Sequence, residues 1–322
     1  MTNPYVHCIT FDYSKAFDTL SHSSVASSLA NADLPDHIYN WIIDYLFPRT
    51  HVTTLNNITS TSLPVTAGIV QGSVLGPTLF NINSSTLKPI SPSNYYFKYA
   101  DDGYLIVPAS NAHSIPLEIE HQTSWASSSN LKLNLAKTAE IIFTNKRVKP
   151  PPLTQGVLRV SSLKILGVTV DDKLTFSEHA DSIITSCNQT FFALKTLRQY
   201  GMSDECITTV FRAAVIPKLL YAAPSFWGFL NAHNRSRLEA AFGKAIRFGY
   251  YPPAADNLAT LQTAAEYKLF LNILYNSSHV LHCFLPPKKV TPYNLRQNSH
   301  GLSLPRKDDR NFLSRLLYQN IY

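Results

Sequence analysis

Two adjacent carboxylates, Asp101 and Asp102, stand between the apolar runs Tyr95 to Tyr99 and Tyr104 to Val107, and no other feature constrains the fold as tightly. Aromatic and β-branched residues on both sides predict two half-buried strands, which places the aspartates at the tip of a β-hairpin. Like charges side by side disfavour each other's ionised form unless a cation compensates, and a divalent metal suits oxygen ligands best. Aspartate is also a common turn residue, because its side chain bonds nearby backbone N–H groups, so the pair alone fits a plain turn as well. A third carboxylate shifts the balance. Tyr5 to Phe11 reads as a buried strand that runs straight into Asp12, and the three aspartates converge if the two strands are neighbours in one sheet.

With 322 residues, 45% of them hydrophobic, the chain can bury a sizeable core, and its length suggests about two globular units. Lys and Arg number 28 against 21 Asp and Glu, a net charge of +7, which favours a polyanionic partner such as nucleic acid or an anionic membrane surface. Cys8, Cys187, Cys206 and Cys283 lack the spacing of a zinc site or a CxxC pair, and His22, His113 and His179 show no ligand spacing with them. A reduced, intracellular protein of nucleus or cytoplasm is expected, with those histidines structural or exposed. Pro217, Lys218 and Pro224 interrupt the longest apolar stretch, and the N-terminus carries no basic-then-apolar leader pattern, so neither membrane insertion nor secretion is expected.

Along the chain, Ser14 is a candidate cap for a short helix, and Pro35 to Phe47 predicts an amphipathic helix with Ile38, Trp41, Ile42 and Tyr45 on its apolar face. A β-rich piece, His51 to Val65, leads into the glycine-bearing loop Gly68 to Pro77 and a following helix. Ile115 to Asn130 reads as a helix through Leu117, Ile119, His121 and Trp125, and Leu131 to Phe143 as a turn and a strand. This alternation suggests an α/β sandwich up to the basic, proline-rich linker Lys146 to Pro152. Leu163 to Val170 is a strand with a glycine bend. Beyond Asp181 the character is helical: Ile183, Ile184, Cys187, Phe191, Leu194 and Leu197 make one stripe that Gly201 ends, and further helices follow over 204–230, 235–248 and 258–274. Pro286, Pro287, Lys288, Lys289, Arg296, Arg306, Lys307, Arg310 and Arg315 read as an extended basic tail.

The ordered strings FDYSKAFD from Phe11, GIVQGSVLGP from Gly68, YADD from Tyr99, LKLNLAKTAEIIF from Leu131 and LKILGVTVDDKLTF from Leu163 resemble the palm motifs of non-LTR retrotransposon reverse transcriptases. The helical stretch after Asp181, with YNLR and LPR near the end, is similar to the thumb-side extension of the same mobile-element proteins. The resemblance implies an α+β fold: a polymerase palm, an antiparallel sheet packed by helices, over 1–145; a linker and primer-grip-like strand segment over 146–180; a mainly helical thumb-like region over 181–285; and a basic tail over 286–322.

Carried over position by position, the resemblance makes Asp12, Asp101 and Asp102 the catalytic and metal-binding carboxylates for two Mg²⁺ ions, with Mn²⁺ as a substitute. Phe17 matches the aromatic that packs under the incoming sugar and excludes a 2′-hydroxyl; as a residue it reads equally as a core aromatic. Gln71 and Gly72 match the loop beside the templating base and incoming nucleotide, or make a plain surface loop. Lys137 matches a lysine that protonates departing pyrophosphate, or is a solvated turn residue. Leu166 and Gly167 resemble the primer grip, whereas Asp18 is read as a helix or turn carboxylate. The implied partners are an RNA template, a DNA primer and deoxynucleoside triphosphates.

Three departures stand out. The sequence starts eleven residues before Asp12, so the fingers and endonuclease that the family places upstream are expected to be missing. Gly103 replaces the usual threonine, which predicts a looser hairpin, and Asn81 to Ser93 departs from the usual helix behind the glycine loop. Two readings follow: a two-metal RNA-directed DNA polymerase fragment, or a catalytically inactive remnant that only binds nucleic acid.

Overall fold

Strand β1, Tyr5–Phe11, forms where its β-branched and aromatic residues predict, and His7, Cys8, Ile9 and Phe11 are all buried. Burial on both faces is the mark of a central strand, and β1 is the middle of five. The computed structural model describes residues 3–144, 148–289 and 300–320. Its chain divides into two units between Ser162 and Leu163, inside the segment expected as linker and primer grip.

In the first unit, β2 (Tyr13–Ser14) follows β1, and α1 (Ala16–Thr19) opens on Lys15 at φ 52. Ser14 therefore caps no helix: it pairs with Lys132 in a two-stranded ladder, and the left-handed Lys15 makes the turn. Helices α2 (His22–Ala30) and α3 (Asp36–Leu46) come next. Helix α3 buries Ile42 and Leu46, while Trp41 is 56% exposed, so the inward face is rotated from the one that the aromatic spacing suggested. The β-rich piece is two small exposed ladders, β3 (Arg49–His51) with β6 (Leu63–Val65), enclosing β4 (Thr54–Leu55) with β5 (Ile58–Thr59). Helix α4, Leu75–Ser85, follows the glycine loop, and the hairpin is β7 (Tyr95–Tyr99) with β8 (Asp102–Pro108).

Helix α5, Ile115–Ser128, buries Ile115, Glu118, Gln122 and Ala126. Its inner stripe is half polar, which the apolar residues alone did not reveal, and Leu117 faces solvent. Glu118 is tolerated inside because its carboxylate accepts the N–H groups of Ile90 and Ser91 and the amide of Asn94. Strands β9 (Lys132–Leu133), β10 (Ala139–Thr144) and β11 (Leu158–Arg159) complete the unit. The main sheet runs β11-β10-β1-β8-β7, antiparallel apart from the short β10/β11 pair. The architecture is thus α+β with an antiparallel sheet rather than an alternating sandwich. The proline segment is no loose tether in its described part, because Arg159 donates to the carbonyls of Pro151 and Pro152. Lys146 and Arg147 lie outside the described residues.

The second unit opens on the hairpin β12 (Ser162–Ile165) and β13 (Val168–Asp171), whose turn is Leu166 and Gly167 at φ 45 and 87. Helix α6, Ser177–Gln199, starts before Asp181 because Asp171 accepts the N–H groups of Lys173, Thr175 and Phe176 and shapes the approach. Gly201 at φ 89 ends it as expected, with Gly201 N–H on Arg198 O and Met202 N–H on Leu197 O. By length and composition 204–229 would pass for a membrane-crossing helix. It is divided into α7 (Asp204–Ala214), α8 (Ile216–Leu220) and α9 (Ala223–Phe226), with Pro217 and Pro224 in the first turns of α8 and α9 just after the breaks, and Ile207, Phe211, Leu219 and Phe226 enter the core with Phe191 and Phe242.

Helices α10 (Ala232–Arg247) and α11 (Leu258–Tyr275) follow, and α12 (Phe312–Gln319) packs on α11. The basic tail is therefore not extended in its described part. Leu302, Leu316 and Leu317 are buried with Phe270, and Arg315 is paired with Glu266, while Arg306, Lys307 and Arg310 remain exposed. Arg296 and the YNLR segment lie outside the described residues.

Candidate active site

Antiparallel pairing of β1 with β8 sets Phe11 opposite Gly103, so the next residue of one strand, Asp12, comes beside the preceding residue of the other, Asp102. Tyr99 pairs with Asp102 across the hairpin, leaving Ala100 and Asp101 as its tip, with Ala100 in the left-handed region at φ 52. Three carboxylates thus meet at one end of the sheet. Partial burial pushes the Asp102 carboxyl above the ordinary aspartate range, and the charges of Asp101 and Asp12 push it the same way against a hydrogen bond from Tyr104. A compensating cation is close: Lys137 Nζ lies 3.4 Å from Asp12 Oδ2, on a turn held by Asn134 N–H to Asp12 O at 2.8 Å.

Among the described residues no group of three or more His, Cys, Asp and Glu side chains forms a ready-made metal cage. The donor set nonetheless fits a hard divalent cation, since it is all carboxylate oxygen, and such ions keep several waters of their own. Burial raises Asp102 first and the neighbouring carboxylates add to it, and that added negative charge is what a bound cation would relieve.

Phe17 packs on Phe80 with ring centroids 4.9 Å apart and is half-buried, so it is part of the core and also reaches a surface. That surface is an open cleft of about 750 Å³, which Tyr99, Ala100, Asn81 and Lys98 also line. Gln71 and Gly72 are exposed, with Gly72 at φ 80, on a loop that the stretch after Asp12 grips. Leu166 and Gly167 lie in the second unit, where Tyr221 Oη donates to Leu166 O at 2.8 Å and its ring covers Gly167.

Lys98 and Tyr96, near this site, carry no sequence signal of their role, and neither do the partners of Asp18 and His22. Asp18 accepts the Gln71 amide at 2.7 Å, and His22, fully buried, sits 2.7 Å from Gly68 O. Lys98 donates to Leu87 O at 2.8 Å and to Ser84 O, tying the end of α4 to the strand that leads to Asp101. That tie supplies support behind the glycine loop where the Asn81 to Ser93 sequence departs from pattern. Burial, with Lys88 nearby, pulls the Lys98 ammonium below its ordinary range. Tyr96 gives Gly103 a packing reason: a Cβ there would clash with the Tyr96 hydroxyl, so glycine makes room for this partly buried tyrosine. The signal was the coincidence of a glycine in one strand with a tyrosine diagonal to it in the next, visible only once the register is known.

Residues 2–170 match the family model described as "Reverse transcriptase (RNA-dependent DNA polymerase)". Among curated proteins, the probable RNA-directed DNA polymerase from transposon BS of Drosophila melanogaster is 27% identical over 263 residues, covering 76% of this chain and 29% of that protein. The RNA-directed DNA polymerase from mobile element jockey of Drosophila melanogaster is 26% identical, covering 73% and 27% respectively. The chain spans less than a third of the length of these relatives. Among solved structures, apo telomerase from Candida tropicalis aligns with a TM-score of 0.42 at 13% identity, over 85% of this chain and 52% of that one.

Proposed function

As the chain belongs to the reverse transcriptase (RNA-dependent DNA polymerase) family, with relatives among the polymerases of Drosophila mobile elements, we propose that it carries the polymerising centre of such an enzyme and extends a DNA primer on an RNA template. The single observation that carries this reading is the β1/β8 register, which sets Asp12 beside Asp102 and next to Asp101. Asp12, Asp101 and Asp102 would hold two Mg²⁺ ions, or Mn²⁺ in their place. Held by these carboxylates, such ions would supply positive charge to acidify the primer 3′-hydroxyl and to offset the charge of the departing pyrophosphate.

The chain's own residues do the rest. Lys137, anchored beside Asp12, is placed to hold a proton for the leaving group. Phe17 stands with Tyr99 and Ala100 on the wall of one cleft, where an aromatic edge under the sugar favours deoxynucleoside triphosphates. Gln71 and Gly72 offer an amide and an open backbone to the template and incoming base. In the second unit the Leu166–Gly167 turn is the candidate primer grip, and the helices after it the candidate thumb. The nucleus or cytoplasm is the proposed compartment, a reading supported by cysteines that show neither a CxxC pair nor zinc spacing.

Primer extension on an RNA template with Mg²⁺ and deoxynucleotides tests the reading. Incorporation that Asp101→Asn abolishes supports it. Incorporation that survives Asp101→Asn overturns it, and salt-sensitive RNA binding without incorporation turns it into the second reading, a remnant that only binds nucleic acid.

A further inference from the structure

The loop 66–71 is held to the segment 17–22 by an unusual density of bonds for an exposed turn. Ile69 N–H donates to Phe17 O at 2.7 Å, Gly68 N–H to Leu20 O at 2.8 Å, and His22 N–H to Thr66 O at 3.2 Å. Two side chains add to the backbone ladder: His22 Nε2 against Gly68 O at 2.7 Å, and Gln71 Nε2 donating to Asp18 Oδ1 at 2.7 Å. Gly68, at φ 87, is pressed so closely on the opposing backbone that a Cβ would stand 2.8 Å from Asp18 O. The backbone and His22 bonds are enough to fix where the loop lies. They do not fix which way round the Gln71 amide points.

That orientation is what Asp18 controls. A glutamine amide has a donor end and an acceptor end, and a carboxylate can only accept. Asp18 therefore takes the NH₂ end and leaves the Gln71 carbonyl and its second N–H for another molecule. An exposed hydrogen bond of this kind contributes little to stability, so fold maintenance does not account for it. We propose that Asp18 is a positioning residue that orients the Gln71 amide for contact with the template–primer duplex. The inference rests on the polymerase reading for the identity of that duplex.

A double-mutant cycle on the full chain tests it, with affinity for a fluorescein-labelled RNA template annealed to a DNA primer as the readout and thermal unfolding as the control for folding. Asp18→Ala and Gln71→Ala are each expected to weaken binding about tenfold, the scale of one charge-assisted hydrogen bond. The double variant is expected to be no worse than either single one. A residue with a merely structural role would cost the same tenfold in the Gln71→Ala background. Should Asp18→Ala fail to fold, Asp18→Asn takes its place, since it keeps the shape and lets the amide turn round.

The two readings fail separately. If the wild type extends primers while Asp18→Ala is silent, or while the two losses multiply to about a hundredfold, the positioning role is overturned and the polymerase stands. If the coupled loss of binding appears in a chain that extends nothing, the positioning role stands and the polymerase falls. A wild type that does not bind the duplex overturns both.

Discussion

Two carboxylate sites share one sheet and are built in opposite ways. Glu140, on β10, is fully buried and has four donors: His7 Nδ1 at 2.5 Å and Thr154 Oγ1 at 2.7 Å on one oxygen, and Arg159 Nε and Nη2 at 2.9 and 2.7 Å on the other. Burial pushes its carboxyl up, but the bonds from His7, Thr154 and Arg159 outweigh that and hold it below the usual range. Asp102, at the end of β8, has acidic neighbours and a raised pKa. The first site gives both carboxylate oxygens their donors within the protein and so serves the fold. The second gathers three carboxylates with Lys137 against only one of them, and partly buried acids with raised pKa values of this kind cluster at functional sites.

The comparison breaks first at Asp101. Asp101→Asn is expected to lower primer extension by at least about ten-thousandfold, roughly 5 kcal/mol of transition-state stabilisation, while the chain folds as before. Single-turnover extension read beside circular dichroism checks both halves. A variant that loses activity only because it unfolds would place Asp101 with Glu140 among the structural groups.

Arg159→Leu should do the reverse. Removing one partner of a buried, hydrogen-bonded carboxylate costs about 3 kcal/mol or more, because Glu140 keeps its burial and loses two of its four donors. Urea unfolding of the variant should show that loss. Extension measured well below the midpoint should be nearly unchanged, since Arg159 touches Glu140 and the prolines of the linker and none of the three aspartates.

The two sites are unequally legible in the sequence, for a physical reason. Asp12, Asp101 and Asp102 announce themselves because each ends or begins an apolar run, and a charge at a strand end is conspicuous. Strand β1, helix α3, helix α6 and its glycine stop were legible on the same principle, through periodicity and punctuation. Glu140 sits inside the run Ala139–Thr144 with partners far away in sequence, so nothing local marks it. The same holds for Asp18 with Gln71, His22 with Gly68 and Tyr96 with Gly103: each pair is defined by register or loop docking. Helix α5 misled for a related reason, since its buried stripe includes Glu118 and Gln122, which tertiary bonds make acceptable inside.

Gly103→Thr sharpens the comparison within β8. The new side chain meets the Tyr96 hydroxyl, and overpacking of this kind costs about 2 kcal/mol. Adding Tyr96→Phe removes the atom at 2.4 Å and leaves the ring carbon at 3.2 Å, so the double variant should recover part of the loss. Thermal unfolding of the two variants separates this account from a hairpin loosened by glycine, which threonine would tighten.

The smallest expected effect is the most telling about charge. Asp102 has a folded pKa above its unfolded value, so it favours the fold below the ordinary aspartate range and loses that advantage as pH rises through the raised value. At neutral pH its ionised form is a burden, and Asp102→Asn should stabilise the first unit by a few tenths of a kcal/mol once solvent screening is allowed for. Glu140 runs the other way: its folded pKa is lowered, so its contribution is full above the unfolded carboxylate pKa and is lost as pH falls through the folded one. Unfolding curves across the acidic range should therefore show Asp102→Asn gaining on the wild type as pH rises, and Glu140→Gln gaining on it as pH falls. Added Mg²⁺ should raise the wild-type midpoint at neutral pH and move Asp102→Asn less. Parallel pH profiles for the two variants would mean that both carboxylates serve the fold alike, and the distinction between a closed site and an open one would be lost.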